Sequence, residues 1–263
     1  MAGRRLDLPG ARPPRRGRAL TAPLRVLLFD VFGTLVDWRS SLIDIAEAAG
    51  ARAETAGAAG ADSNPQVEWA AVIDDWRRAY QPAMDRVRRG EPWRDLDSLQ
   101  RETLAGVLAR HGAALPAASQ ETLVSGWRRL APWPDSRAGL DRLRRRHVTA
   151  TLSNGHLALL ADLLKFADLR VDVLLSAQLA AGYKPDPDVY TTALRLLDRR
   201  PQEAGMVAAH AGDLRAAAAL GLRPIFIRRP LEWGPAAPPE QAPELDGLLE
   251  ADGLVDLAAA LGC

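Results

Sequence analysis

The stretch LLFDVFGTLVDW, residues 27–38, decides the fold. An apolar run, LRVLLF over 24–29, ends in a carboxylate, Asp30, and passes into Phe32, Gly33 and Thr34. A short apolar run closed by a glycine reads as a buried strand better than as part of a helix. Gly33 lets the chain turn away closely, because it lacks the Cβ that restricts other residues. The strand therefore carries Asp30 to its own carboxyl end, where ligands collect in open parallel sheets.

Beyond residue 136 strands and helices alternate. A helix near 136–145 leads to VTATLS (148–153), and a helix over 156–167 leads to VDVLLS (171–176). A helix over 187–198 leads to GMVAAH (205–210), and one over 213–220 leads to RPIFIR (223–228). This alternation predicts βαβ units and an α/β protein with a parallel sheet. Between the first strand and this region the pattern is helical. Helical periodicity runs from about 40 to 58 and breaks at AGAAGADSNP (56–65). Three amphipathic helices follow near 66–89, 96–112 and 117–131, with no good strand among them. Such a block inserted after the first strand reads as a cap on the sheet. The Pro-rich stretch 229–247, RPLEWGPAAPPEQAPELDG, reads as a loop.

Composition excludes several classes. Apolar content of 48% and charged content of 25% are those of an ordinary globular protein. A net charge of +1 gives no global field favouring nucleic acid or an anionic membrane. One cysteine, Cys263, excludes an intrachain disulfide or a Cys-based zinc site. No run approaches the about 18 apolar residues of a membrane span. Residues 1–22 are rich in Arg, Pro and Gly and hold too little apolar surface to order themselves. Arg4-Arg5 lacks the apolar run of an export signal, so a cytoplasmic protein is expected.

Four strand ends carry polar groups. They are Asp30 with Thr34, Ser153-Asn154-Gly155, Lys184 in GYKPDPDVY, and His210 followed by Asp213. Neighbouring strands would gather them in one crevice, a plausible site for nucleophilic catalysis. Plainer roles stand beside this one. Ser153, Asn154 and Asp213 also suit helix caps, and Arg-rich helix faces are ordinarily solvated.

FDVFGTLVDW, LSNG, YKPDPDVY and VAAHAGD, in this order over residues 24–263, together resemble the haloacid dehalogenase superfamily. More narrowly they look like its hydrolytic type II 2-haloacid dehalogenase branch. The resemblance implies a Rossmann-like parallel-sheet core at 23–40 and 133–263 and a helical cap at 41–132, and composition adds a disordered basic extension at 1–22. It implies that Asp30 displaces halide from Cα of a 2-haloalkanoate, forming an ester that water cleaves to a 2-hydroxy acid. In that scheme Lys184 keeps Asp30 ionised, Asp213 orients or deprotonates the water, and Thr34 hydrogen-bonds the nucleophile. Arg77, in DDWRRAYQPAM (74–84), helps the halide depart, with Arg78 the alternative if the register is shifted by one. Ser153 and Asn154 hold the substrate carboxylate or the halide. Phe32 forms an apolar wall, Trp93 lines the pocket and Tyr190 supports the site. His210 stands where the pattern commonly has an amide, and a neutral imidazole donating one hydrogen bond would substitute. No metal or other cofactor is implied, and the expected partner is a small 2-haloacid. The family often forms dimers, and helical surfaces are compatible with one here.

The branch follows from departures. Phosphatases of the superfamily carry Asp-x-Asp in the first motif, and here the second acid is replaced by Phe32, which cannot protonate a leaving group. GDLRAAAALG offers Asp213 alone, with Ala where a second acid would complete a Mg²⁺ site. A Mg²⁺-dependent phosphatase acting on a small phosphate ester, or a non-catalytic member, are the alternatives. Ala208 and Gly212 stand where the dehalogenase pattern has Ser and an aromatic residue, so a looser pocket is expected.

Overall fold

Val26–Phe29 form β1, and all four side chains are fully buried. A strand covered on both faces belongs in the middle of a parallel sheet. The structure is a computed structural model and describes residues 23–55 and 67–263. The extension at 1–22 and the break at 56–65 lie outside the described residues.

Four strands join β1: β4 (Val148–Thr151), β5 (Ala204–Ala208), β6 (Arg223–Ile227) and β7 (Leu249–Ala251). The order is β4-β1-β5-β6-β7, and every pairing is parallel. Alternation divides the core. Val26 and Leu28 face α7 (Pro187–Leu196) and α8 (Ala211–Ala219) through Tyr190, Leu194 and Leu214. Leu27 and Phe29 point to the other face, with α5 (Ser136–Leu143), α6 (Leu157–Ala167) and α9 (Leu254–Ala260). The last strand and helix were not anticipated. β7 is three residues long with a central Glu250, so it gives little apolar signal.

The segment 171–176 is not a ladder strand, contrary to the sequence pattern. Its pairing is confined to isolated bridges, Val173 with Ala150 of β4 and Ser176 with Ser153 beyond it. Backbone bonds reach β4 around Val173, whose N–H donates to the Thr149 carbonyl and whose carbonyl accepts the Thr151 N–H, both at 3.1 Å, and side chains take over on either side. Thr151 Oγ1 donates to the Leu175 carbonyl at 2.8 Å and accepts from its N–H at 3.0 Å. The Asp172 carboxylate accepts from the Thr149 N–H at 2.9 Å and its hydroxyl at 3.0 Å.

After β1 the chain leaves the sheet through β2 (Val36–Asp37) and returns through β3 (Ala131–Pro132), which pair antiparallel. Between them lie α1 (Trp38–Thr55), α2 (Trp69–Arg88), α3 (Leu96–Arg110) and α4 (Ala117–Gly126). On α2 the buried residues Val72, Ile73, Trp76, Tyr80, Ala83, Met84 and Val87 recur at helical spacing and form one face. α3 starts where the Asp95 side chain accepts the Ser98 N–H at 2.8 Å. Trp76, Leu99 and Leu123 share one continuous core with Phe29 and Leu160, so the helical segment is packed onto the sheet's layer. No helix of the described residues is long and apolar enough to cross a membrane.

Candidate active site

The Asp30 N–H continues the β1–β5 ladder, donating to the Val207 carbonyl at 3.0 Å. Three consecutive carbonyls of the turn that follows, at residues 33–35, are each anchored by a distant side chain. Trp133 Nε1 donates to Gly33 O at 2.9 Å, Arg229 Nε to Thr34 O at 3.0 Å, and Ser136 Oγ to Leu35 O at 2.7 Å. Arg229 is itself held by both oxygens of Asp135, at 2.8 and 3.0 Å. Satisfying these buried carbonyls fixes the turn that presents Asp30.

Gly33 adopts φ +86°, and a Cβ built there would lie 2.2 Å from the Glu232 carboxylate. Both the left-handed backbone and the packed carboxylate select glycine. Gly33→Ala is expected to destabilise the fold by about 1–3 kcal/mol, seen as a lowered urea midpoint. An unchanged midpoint would show that the turn relaxes without cost.

Asp30 is the centre of a buried network. Lys184 Nζ donates to Asp30 Oδ1 at 2.9 Å and to Asp213 Oδ2 at 2.5 Å. Thr34 Oγ1 donates to Asp30 Oδ2 at 2.7 Å, and the Tyr190 hydroxyl donates to Asp213 Oδ1 at 2.5 Å. The Thr34 hydroxyl accepts the Ala209 N–H at 3.0 Å, which leaves its proton for Asp30. Asp30 and Lys184 are each 6% exposed and Asp213 9%. Burial alone would raise the Asp30 pKa, but the Lys184 charge and the His210 hydrogen bond outweigh it and hold the carboxyl far below its usual range. Burial likewise favours neutral Lys184, yet Asp213 and Asp30 keep it protonated to a pH well above its ordinary value. Asp213 moves the other way. Burial and the nearby Asp30 charge raise it, against the opposing pull of Lys184.

Asn154 fixes the lysine from behind. Its Oδ1 accepts the Lys184 N–H at 2.7 Å, and its Nδ2 faces the Lys184 carbonyl at 3.5 Å. These groups meet at a cavity of about 370 Å³ between the carboxyl ends of the strands and α2. Asp30, Lys184, Asp213, Asn154 and His210 line it from the sheet side. Arg77, Tyr80 and Gln81 line it from α2. The Arg77 guanidinium lies 4.5 Å from the Tyr80 ring centre and 5.4 Å from that of Trp38. Its buried Nε has no partner among the described residues. A buried carboxylate, an ammonium beside it and a guanidinium on the same cavity suit displacement of an anionic leaving group.

A family model for haloacid dehalogenase-like hydrolases matches residues 24–221. The chain belongs to this family. Within the haloacid dehalogenase-like hydrolases, it is similar to a solved L-2-haloacid dehalogenase at 46% identity, covering 90% of this chain and 99% of that one, with a TM-score of 0.79. A solved defluorinating L-2-haloacid dehalogenase is 35% identical, covering 95% and 100% of the two chains, with a TM-score of 0.85. An (S)-2-haloacid dehalogenase of Burkholderia cepacia is 29% identical over 209 residues, 78% of this chain and 84% of that one.

The structure redistributes several of the side chains that the haloacid dehalogenase-like pattern suggested. Of the two arginines, Arg77 faces the cavity, while Arg78 is exposed and paired with Asp75 at 2.9 Å. Phe32 lines the cavity and meets Trp127 edge-on at 5.4 Å. Ser153 is fully buried outside the cavity lining, its hydroxyl accepting the Gly155 N–H at 3.2 Å. Trp93 packs against the core and is likewise absent from the lining. Tyr190 reaches the site only through Asp213. His210 departs from the neutral imidazole expected of it. Burial would favour the neutral ring, but Glu232 and Asp30 raise its pKa well above the ordinary value, so it is charged.

Three side chains escaped the sequence reading. Tyr80 and Gln81 follow Arg77 by three and four residues, so a helix carrying Arg77 to the cavity brings them too. Glu232 sits in the Pro-rich loop after β6, where no motif marks it, yet it is 3% exposed and beside His210.

Proposed function

We propose that this enzyme is a hydrolytic 2-haloacid dehalogenase that works without a metal ion. The observation that carries the reading is the ionised Asp30 carboxylate at the cavity wall, held between Lys184 and His210 and facing Arg77. The L-2-haloacid dehalogenases it resembles support the same substrate class. Lys184 bridges Asp30 and Asp213, supplying the positive charge that a divalent cation would otherwise bring. Phe32 offers no acid for a leaving alcohol, as phosphate-ester hydrolysis would require.

Asp30 Oδ1 accepts one hydrogen bond among the described residues, from Lys184, whereas Oδ2 accepts two. Oδ1 therefore keeps the freer lone pair and is the attacking atom. It forms the bond to Cα as the carbon–halogen bond breaks, inverting the carbon and releasing halide toward Arg77. Water then adds to Cγ of the resulting ester, giving up a proton to Asp213, whose raised pKa suits a base. Collapse breaks the Cγ–Oδ1 bond. The product hydroxyl takes that proton, and the regenerated Asp30 carboxyl loses its own to solvent. In this reading residues 41–132 form the cap, with Arg77, Tyr80 and Gln81 closing the cavity.

The test is halide release from L- and D-2-chloropropionate and chloroacetate in excess EDTA. Sustained release, with L-2-chloropropionate preferred and yielding D-lactate, is the expected result. No release, with Mg²⁺-dependent hydrolysis of p-nitrophenyl phosphate, would overturn the reading in favour of a phosphatase. Arg77→Lys is expected to lower kcat/KM by about 10²-fold, because an ammonium lacks the planar donor fork. Its urea midpoint should stay near that of the parent chain, and an undiminished rate would remove Arg77 from the halide site.

A further inference from the structure

His210 is held between two carboxylates. Its Nδ1 lies 3.1 Å from Asp30 Oδ2, and its Nε2 lies 2.9 Å from Glu232 Oε1. An ionised carboxylate accepts hydrogen bonds and donates none. Both ring nitrogens therefore carry protons, and the doubly protonated ring satisfies both partners. The Glu232 carboxylate is held by more than His210. The same Oε1 accepts the Trp38 Nε1–H at 3.0 Å, and the carboxylate fills the space over Gly33 that a side chain would occupy. Burial would raise its pKa, and the His210 charge more than offsets this and keeps it ionised.

We propose that Glu232 is a positioning residue that fixes His210 as a permanent donor to Asp30 Oδ2. Together with the Thr34 hydroxyl, His210 then forms an oxyanion site for hydrolysis of the Asp30 ester. This rests on the aspartyl-ester reading above. In the ester, Oδ2 is the carbonyl oxygen. When water adds to Cγ, the carbonyl π pair moves onto Oδ2, where the Thr34 O–H and the His210 Nδ1–H already point. The donors are in place before the charge develops, which is the condition for strong transition-state stabilisation. No proton needs to leave His210 in this step. The site's water deprotonation stays with Asp213. In the first step the same donors restrain Oδ2 and leave Oδ1 to attack. Loss of the pair should therefore slow ester hydrolysis far more than ester formation.

The experiment follows Glu232→Gln with L-2-chloropropionate, reading pre-steady-state halide and the mass of the Asp30 peptide after acid quench. The expected result is a rapid burst near one halide per site, then a kcat lowered about 10²-fold with a lowered KM. An Asp30 adduct heavier by the propionate group should accumulate. His210→Ala leaves Glu232 in place and should give the same burst and adduct, so the test survives if Glu232→Gln fails to fold. Unchanged kcat, or equal slowing of burst and steady state without adduct, would overturn the proposal. An inactive parent enzyme would instead sink the dehalogenase reading.

Discussion

Asp30→Asn should abolish turnover, with halide release falling by at least about 10⁴-fold under conditions where the parent chain is active. The amide lacks the charge that the proposed attack on carbon requires, and its nitrogen lone pair is delocalised. It would also place an N–H or a carbonyl against Lys184, Thr34 and His210, all of which donate to Asp30 in the parent. Fold loss does not explain such an effect, because the turn around Asp30 is held by Trp133, Arg229 and Ser136 through backbone carbonyls that the substitution leaves alone. Chloride electrode measurements with matched circular dichroism spectra decide the matter. Substantial residual release would mean that another group attacks, or that water attacks Cα directly.

Lys184→Met should remove both activity and much of the stability. It leaves two buried carboxylates without their shared cation, and breaking one partner of a buried ion pair typically costs about 3–5 kcal/mol. The pH dependence carries the sign. In the parent chain Asp30 is depressed in the fold, so its contribution is complete above 3.8 and is lost as pH falls through the lower folded value. Lys184 is raised, so its contribution is complete below 10.5 and is lost as pH rises through the higher folded value. Without Lys184, Asp213 loses its main opposing charge and rises further above its unfolded value. The folded state then binds more protons than the unfolded one, and the variant should gain stability on acidification from pH 7 toward 5. Urea titrations across that range measure it. A flat or opposite slope would show that solvent reaches Asp213 and replaces the lysine.

The parts of the molecule legible in the sequence are those whose signal is local. The apolar run ending at Asp30 marked the central strand, and the strand–helix alternation marked most of the parallel sheet. Asp30 and Asp213 converge because they follow the carboxyl ends of the adjacent strands β1 and β5, and Lys184 joins them from a loop that Asn154, just beyond β4, holds by its backbone. What failed was non-local. The segment 171–176 has the composition of a strand, but it pairs only at isolated bridges, and the Thr151 hydroxyl takes both the N–H and the carbonyl of Leu175. Ser153 looked like its neighbour Asn154, yet its hydroxyl turns back to Gly155. The charge on His210 depends on Glu232, 22 residues away, brought over Gly33 by a loop with no recognisable pattern.

The charges gathered at this cavity also balance. Asp30, Asp213 and Glu232 are matched by Lys184, His210 and Arg77, so with all six ionised the pocket is electroneutral before anything enters. A monoanionic acid then meets no net repulsion while still finding cations close at hand, and the halide and hydroxy acid formed from it face no excess positive charge that would retain them. A dianionic phosphate ester would instead leave two negative charges uncompensated beside buried side chains, where such charges are costly. In the proposed reaction, selectivity by valence would reside in the same side chains that carry the displacement.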